Sequence, residues 1–263
     1  MRRALAAACL LASALALPHG RGHGHRRNLG PGRGPWEAAT PESQGLSSGA
    51  LQAAEERTNE EMGGDRLCTV VIKNGKLVYE HYRRGHSESA LFGAWSATKS
   101  LCASLFGVAV EQGWADPGQL VRERNVDVRQ CNPDTTFRHV LTMTGTSDPA
   151  DPQWWYDGDG DVCLDTLSDF IDQNNPEGIS GAEWKEKYYM EALGMEDSVW
   201  EEGPGHDSPF PCGWGVQASC RDLARYVQQL PLYLLPAGSN KPLQPVELGS
   251  CGSTTESGRA RGS

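Results

Sequence analysis

The sequence has little basic charge outside its first 36 residues. Its 263 residues contain 24 Lys and Arg against 34 Asp and Glu. Six of the arginines, and no acidic residue, fall in residues 1–36, so residues 37–263 carry a formal net charge near −16. A nucleic-acid-binding surface needs a basic stripe that displaces condensed counterions. The deficit therefore argues against nucleic acid as a partner.

The sequence also lacks an apolar run of the roughly 20 residues that a membrane-spanning helix needs. The longest run, Ala4–Leu17, follows Arg2 and Arg3 and ends at Pro18. A short basic segment before such a run is typical of a secretory signal peptide, and Ala14-Leu15-Ala16 offers small residues for cleavage. We therefore predict a signal peptide over residues 1–17 and a secreted protein without a membrane span. An organelle transit peptide is the alternative.

Composition divides the rest of the chain into three parts. Residues 18–40 are rich in Gly, Pro and Arg and predict a disordered linker. Residues 41–230 hold the periodic apolar patterns of one folded domain. Residues 231–263 lose these patterns and predict a disordered or aberrant tail.

Cysteine spacing gives no zinc-binding pattern, because no two cysteines form a Cys-x-x-Cys pair. Seven cysteines follow the predicted leader, an odd number that leaves at least one without a partner in the same chain. A chain of this length can form a core without disulfides. We interpret the cysteines mainly as buried or incidental residues.

The clearest local signal is a β-hairpin. Two β-rich runs, Thr69–Lys73 and Lys76–Glu80, flank Asn74-Gly75, which suits a type I′ turn. Apolar spacing predicts a core helix over Ser96–Gly113. Further helices are predicted over 46–62, 136–143, 163–172, 182–193 and 218–230. One hairpin among many helices indicates an α+β fold, or an α/β-type sandwich.

Ser96-Ala97-Thr98-Lys99 is a Ser-x-x-Lys motif at the start of the predicted core helix. Residues at i and i+3 share one helix face, so a neutral lysine can take the serine proton during attack on a carbonyl. Free N–H groups at a helix N-terminus can stabilise the oxyanion. On its own, the tetrapeptide also fits an ordinary solvated helix face.

The surrounding motifs make the chain resemble the beta-lactamase-related family of serine hydrolases, which includes class C beta-lactamases, D-alanyl-D-alanine carboxypeptidases, esterases and 6-aminohexanoate-dimer hydrolases. The resemblance covers most of residues 41–230. It is carried by the segments 41–47, 74–80, 92–100, 107–113, 137–145, 193–195, 213–215 and 221–225. It implies a beta-lactamase/transpeptidase-like fold, with an antiparallel sheet flanked by helices.

The resemblance also implies roles for individual residues. Ser96 would be acylated, and Lys99 would help to deprotonate it. The family's second acid/base is the tyrosine of a Tyr-x-Asn motif, which this sequence lacks. Tyr156, after Trp154-Trp155, is the best substitute, although Gly158 stands where the asparagine belongs. A structural role for Tyr156 is the alternative.

The family's third motif, Lys-Thr-Gly or His-x-Gly, is also missing, and the resemblance ends near Leu230. We therefore expect a truncated family member without the C-terminal strands. The predicted function is hydrolysis of a small-molecule ester or amide through an acyl-enzyme, without metal or cofactor. The alternative is an inactive or fragmentary relative that serves as a binding module or has no activity.

Alternating acids over Asp157–Asp161 allow a third interpretation, loose calcium binding, but a polar turn fits the segment better.

Overall fold

We describe the protein from a computed structural model, which covers residues 34–64, 66–124, 126, 128–156, 158–201 and 208–234. The predicted signal peptide and most of the predicted tail lie outside these described residues. The described part has an α+β fold with antiparallel sheets, as predicted. None of its helices is long and apolar enough to cross a bilayer.

The predicted hairpin is confirmed. Strand β1 (Cys68–Lys73) pairs antiparallel with β2 (Lys76–Tyr82). Asn74 and Gly75 both have positive φ angles, 54° and 78°, as a type I′ turn requires. The pairing register shifts between Val71 and Ile72, where the ladder contains an irregularity.

Helices form most of the remaining fold. Their bounds are α1 Ser48–Glu61, α2 Ala97–Glu111, α3 Phe137–Leu141, α4 Asp159–Leu164, α5 Thr166–Asn174, α6 Gly181–Lys185, α7 Glu191–Leu193 and α8 Cys220–Leu234. A π-helical turn, Glu186–Met190, joins α6 to α7. Short 3₁₀ segments lie at Glu42–Gln44 and Val121–Arg124. The predicted helices are all present, although the one predicted over 163–172 is split between α4 and α5.

Helix α2 is the centre of the hydrophobic core. Leu101, Leu105 and Phe106 are almost completely buried, because α5 and the π-helical turn pack against the helix. The Phe106 ring lies 5.1 Å from Phe137 of α3 and 5.5 Å from Phe170 of α5, measured between centroids. Apolar side chains therefore surround α2 on several sides and fix its position.

A second, three-stranded antiparallel sheet lies at the start of α2. Strand β5 (Val216–Ala218) occupies its centre, between β3 (Phe92–Gly93) and β4 (Val199–Trp200). In the described residues, the hairpin and this sheet form two separate sheets, whereas the sequence led us to expect one.

Residues 34–40 are ordered against the hairpin, which differs from the prediction of a disordered linker up to residue 40. Ala38 forms a parallel bridge with Leu77, and the Leu77 N–H donates to the Glu37 carbonyl. Trp36 is buried, and the Arg225 guanidinium lies 5.6 Å from its ring centroid. Burial of Trp36 and the backbone hydrogen bonds to Leu77 together offset part of the entropy that this segment loses.

Three disulfide bonds connect distant parts of the domain, so the interpretation of the cysteines as mainly buried or incidental missed their pairing, although four of the six paired cysteines are buried. They are Cys68–Cys220, Cys102–Cys212 and Cys131–Cys163. Their Cα–Cα distances of 6.5, 5.4 and 4.9 Å suit covalent pairing. The partners are 32 to 152 residues apart, a proximity that only the tertiary fold creates. The seventh cysteine, Cys251, lies outside the described residues.

Helix α1 contains a buried acid, although its Glu55-Glu56 and Glu60-Glu61 pairs are typical of a solvent face. The side chain of Glu55 is 2% exposed and accepts hydrogen bonds from Arg83 of 2.8 and 2.7 Å. His81 Nδ1 lies 3.3 Å from the same carboxylate. The hairpin thus supplies a cation that pairs with Glu55, and hydrogen bonds from Arg83 lower the pKa of its carboxyl group.

We expect Glu55→Gln to destabilise the domain by about 2 kcal/mol or more, because it leaves Arg83 without its bidentate partner. Glu56→Gln is the matched control. Glu56 contacts the same guanidinium, but its side chain is 52% exposed, so its loss should cost within about 0.5 kcal/mol. Chemical denaturation measures both changes.

The stabilisation from Glu55 should also depend on pH, because the pKa of its carboxyl group is lower in the folded state than in the unfolded state. The stabilisation is complete above the unfolded-state pKa of about 4.3 and disappears as the pH falls through the folded-state pKa. Equal costs for the two variants at pH 7 would contradict a stabilising role that is specific to the buried carboxylate.

Candidate active site

Ser96 lies at a tight turn between β3 and α2. The preceding residue, Trp95, has a φ angle of 46°, in the left-handed region that a bulky side chain rarely occupies. The Ala97 and Thr98 N–H groups donate to the carbonyls of Ala94 and Trp95, which closes the turn. Ser96 is exposed, and no hydrogen bond from its own N–H is found in the described residues. The turn therefore presents both a hydroxyl and an N–H group to a ligand.

Lys99 points its amine at the Ser96 hydroxyl. Lys99 Nζ donates to Ser96 Oγ over 3.2 Å and to the Gly213 carbonyl over 3.0 Å. It also lies 2.9 Å from Asp161 Oδ1. This last contact is an ion pair without hydrogen-bond alignment, and Asp161 Oδ1 is buried and accepts no hydrogen bond in the described residues. The amine is thus held by acceptors from three parts of the chain.

Residues 212–216 are fixed to the first turns of α2. The Ala94 N–H donates to the Val216 carbonyl over 2.7 Å, and the Val216 N–H donates to Thr98 Oγ1 over 3.3 Å. At the other end, Cys212 forms its disulfide with Cys102. This 212–216 segment therefore places the Gly213 carbonyl opposite Lys99 with little freedom.

Gly213 leaves room for Asp161. A β-carbon at position 213 would lie 3.3 Å from Asp161 Cγ, closer than nearly all such contacts in proteins. The absence of a side chain lets α4 approach the 212–216 segment. As a result, the Asp161 carboxylate reaches the same amine as the Gly213 carbonyl.

Tyr156 also contacts Lys99, but through its ring. Lys99 Nζ lies 4.8 Å from the ring centroid, a cation–π distance. No hydrogen bond of the Tyr156 hydroxyl is found among the described residues. The Trp154 ring lies 5.6 Å from that of Tyr156. Tyr156 thus belongs to the site, and its predicted role as the second acid/base remains a prediction.

The structure brings together all three residues that the sequence singled out, Ser96, Lys99 and Tyr156. Sequence reasoning missed the parts that Asp161 and Gly213 play. Gly213 was noted only as part of a family segment, and Asp161 only as a candidate calcium ligand. A hydrogen bond between residues 114 positions apart has no local sequence signal.

The acid-rich segment does not have the arrangement of a calcium loop. Asp159 and Asp161 lie in the first turn of α4, so the predicted polar turn is the beginning of a helix. Acids at i and i+2 on a helix point in different directions. In the described part of the chain, no group of three His, Cys, Asp or Glu side chains is arranged to hold a metal ion. Asp157 lies outside the described residues.

Residues 60–188 match the family model described as Beta-lactamase. No curated protein matches the chain. Two solved structures are similar to it at low identity. The octameric penicillin-binding protein homologue from Pyrococcus abyssi is 20% identical with a TM-score of 0.53, over 70% of this chain and 56% of that one. A class C beta-lactamase is 19% identical with a TM-score of 0.52, over 68% of this chain and 63% of that one.

The fold is therefore that of the beta-lactamases and penicillin-binding proteins. The matched region contains Ser96, Lys99, Tyr156 and Asp161. The match of residues 60–188 to the Beta-lactamase model and the shared fold confirm the resemblance drawn from the motifs. It spans 56% to 63% of the length of these two structures.

We expect loss of the Cys102–Cys212 disulfide to slow the reaction of Ser96 with a fluorophosphonate at least about tenfold, because the Gly213 carbonyl would lose its fixed position beside Lys99. The test is a Cys102→Ala/Cys212→Ala double variant, with the labelling rate measured alongside the melting temperature. Cys68→Ala/Cys220→Ala is the matched control. The Cys68–Cys220 disulfide joins residues 152 positions apart, and the Cys102–Cys212 disulfide joins residues 110 positions apart. Because loop entropy depends only weakly on loop length, removing either disulfide should lower the free energy of unfolding by a similar amount. Similar labelling rates in the two folded variants would contradict a positioning role for Cys102–Cys212.

Proposed function

We propose that this protein is a serine hydrolase that cleaves a small-molecule ester or amide through an acyl-enzyme. The observation that carries the proposal is the contact of Lys99 Nζ with Ser96 Oγ at the exposed start of α2. A nucleophile within hydrogen-bond reach of a base that further groups orient is the arrangement expected for covalent catalysis. The family match supports the same chemistry.

In the proposed reaction, Lys99 first loses a proton to solvent; Ser96 Oγ then attacks the substrate carbonyl carbon, and its proton passes to the Lys99 amine. The Ser96 N–H donates to the developing oxyanion. The carbonyl then reforms, the bond to the alcohol or amine breaks, and that group leaves with the proton. Water next attacks the acyl carbon and gives a proton to Lys99; the bond from the acyl carbon to Ser96 Oγ then breaks, Oγ takes that proton, and the acid is released.

The contacts of Lys99 orient its amine for this transfer. The Gly213 carbonyl and the Asp161 carboxylate hold the amine on the side of Ser96. The Tyr156 ring covers another side, and the Lys99 side chain is only 11% exposed. Such confinement limits the number of lysine rotamers and keeps the amine near the hydroxyl.

We also propose that the protein is secreted. The three disulfides support this proposal, since structural disulfides persist mainly in oxidising compartments. An organelle destination is the alternative that the leader leaves open.

Ser96→Ala should abolish covalent labelling by a fluorophosphonate, because the variant lacks the attacking oxygen. Mass spectrometry of the labelled wild-type protein should locate the adduct on Ser96. Ser100→Ala is the matched control, since Ser100 is an exposed serine one turn further along α2. Labelling of the Ser96→Ala variant at the wild-type rate would remove Ser96 from the mechanism. A folded wild-type chain that does not react would favour the inactive relative.

Tyr156→Phe should keep the labelling rate within about threefold of the wild-type value, because the contact with Lys99 is made by the ring. Tyr156→Ala removes the ring and should slow labelling further. Rates of adduct formation for the two variants separate these contributions. A loss of about a hundredfold or more in Tyr156→Phe would instead establish the hydroxyl as the second acid/base.

A further inference from the structure

Exposed aromatic side chains are concentrated in the segments that form the site. Five large aromatic side chains are exposed among the described residues, and all five belong to segments that form the site. We call these side chains the aromatic rim: Trp95, Trp154, Trp155, Tyr156 and Trp214. Trp95, at 79% exposure, directly precedes Ser96. Large exposed apolar patches commonly mark ligand or partner sites.

The rim is connected to the reacting groups by observed contacts. Tyr156 faces Lys99, and Trp154 packs beside Tyr156. Trp214 follows Gly213, whose carbonyl binds Lys99. The Trp155 N–H donates to the Met143 carbonyl over 3.0 Å, which anchors the loop that carries three of the five aromatics. A ligand bound at Ser96 therefore lies within reach of several aromatic faces.

Near Ser96, the acidic member of the Lys99–Asp161 ion pair is more accessible than the basic member. Lys99 is paired with Asp161, and the Asp161 side chain is the more exposed of the two, at 35% against 11%. In the described residues, no second basic side chain contacts Ser96, Lys99 or Asp161.

A second carboxylate lies on the sheet side of the site. Glu201 Oε1 accepts a hydrogen bond of 3.0 Å from Gln217. The side chains of Gln217 and Trp95 both border Gly93, in the strand that leads to Ser96. Glu201 therefore adds a second carboxylate near the strand that leads to Ser96.

We infer that the substrate is an ester with a cationic group, such as a quaternary ammonium, near the scissile carbonyl. This inference rests on the proposed function and adds the class of substrate. Aromatic faces attract a cation through their quadrupoles, and a nearby carboxylate adds Coulomb attraction. The aromatic rim can provide the cation–π attraction and Asp161 the Coulomb attraction, both near Ser96.

The test is a binding measurement on the Ser96→Ala variant, which separates recognition from turnover. The probes are butyrylcholine and its uncharged isostere, 3,3-dimethylbutyl butyrate, titrated against tryptophan fluorescence or by calorimetry. We expect the cation to bind about tenfold tighter or more, and this ratio to fall as salt is added. In the Ser96→Ala background, Asp161→Asn should reduce the ratio of the two affinities to below about threefold. Trp154→Leu in the same background should reduce this ratio by a smaller amount.

Glu60→Gln, on the exposed surface of α1, is the matched control for loss of one negative charge and should leave the ratio unchanged. Equal or tighter binding of the uncharged isostere to the folded Ser96→Ala variant would overturn the inference. So would a preference for the cation that survives Asp161→Asn and Trp154→Leu together. Failure of wild-type Ser96 to react with a fluorophosphonate, with the cation preference intact, would overturn the hydrolase proposal and leave a cation-binding site.

Discussion

The attachment of the 212–216 segment to the first turns of α2 is the constraint on which the site depends. Two hydrogen bonds to Val216 and the Cys102–Cys212 disulfide fix this segment beside Ser96 and Lys99. Strand β5 follows at once and pairs with β3 and β4, so the same attachment also sets the small sheet. Helix α2 in turn is held by the buried contacts of Leu101, Leu105 and Phe106. The reacting groups thus take their positions from the core of the domain.

Much of the fold could be predicted because its signals are local. Asn74-Gly75 specifies a turn through its own backbone preferences, and the apolar spacing of α2 specifies a buried helix. Where the prediction failed, a distant partner changed the environment of a residue. Glu55 has the sequence context of a solvent face, but Arg83 in the hairpin pairs with it and makes its burial possible. Trp36 likewise makes the end of a polar segment part of the fold, because its ring is buried and the neighbouring backbone pairs with Leu77.

The residues of the candidate site also separate into those with a local sequence signal and those that only the tertiary fold brings together. Ser96 and Lys99 are neighbours on one helix, so their contact could be predicted from the spacing of the motif. Asp161 and Gly213 reach Lys99 only after the chain has folded, and neither residue type indicates such a role by itself. Tyr156 could be selected by its place in a family pattern, but the orientation of its ring depends on the loop that carries Trp154 and Trp155. The three disulfides were missed for a similar reason, because pairing follows proximity in space and cysteine spacing does not reveal it.

The close approach of Asp161 to Gly213 has a consequence for how this protein can vary in evolution. A larger residue at 213 would displace the carboxylate, even though position 213 contributes only a backbone carbonyl to Lys99. A shorter residue at 161 would remove the close contact that favours a glycine at 213. The two positions are therefore expected to change together among related sequences, as a correlated pair whose members belong to different elements of the fold.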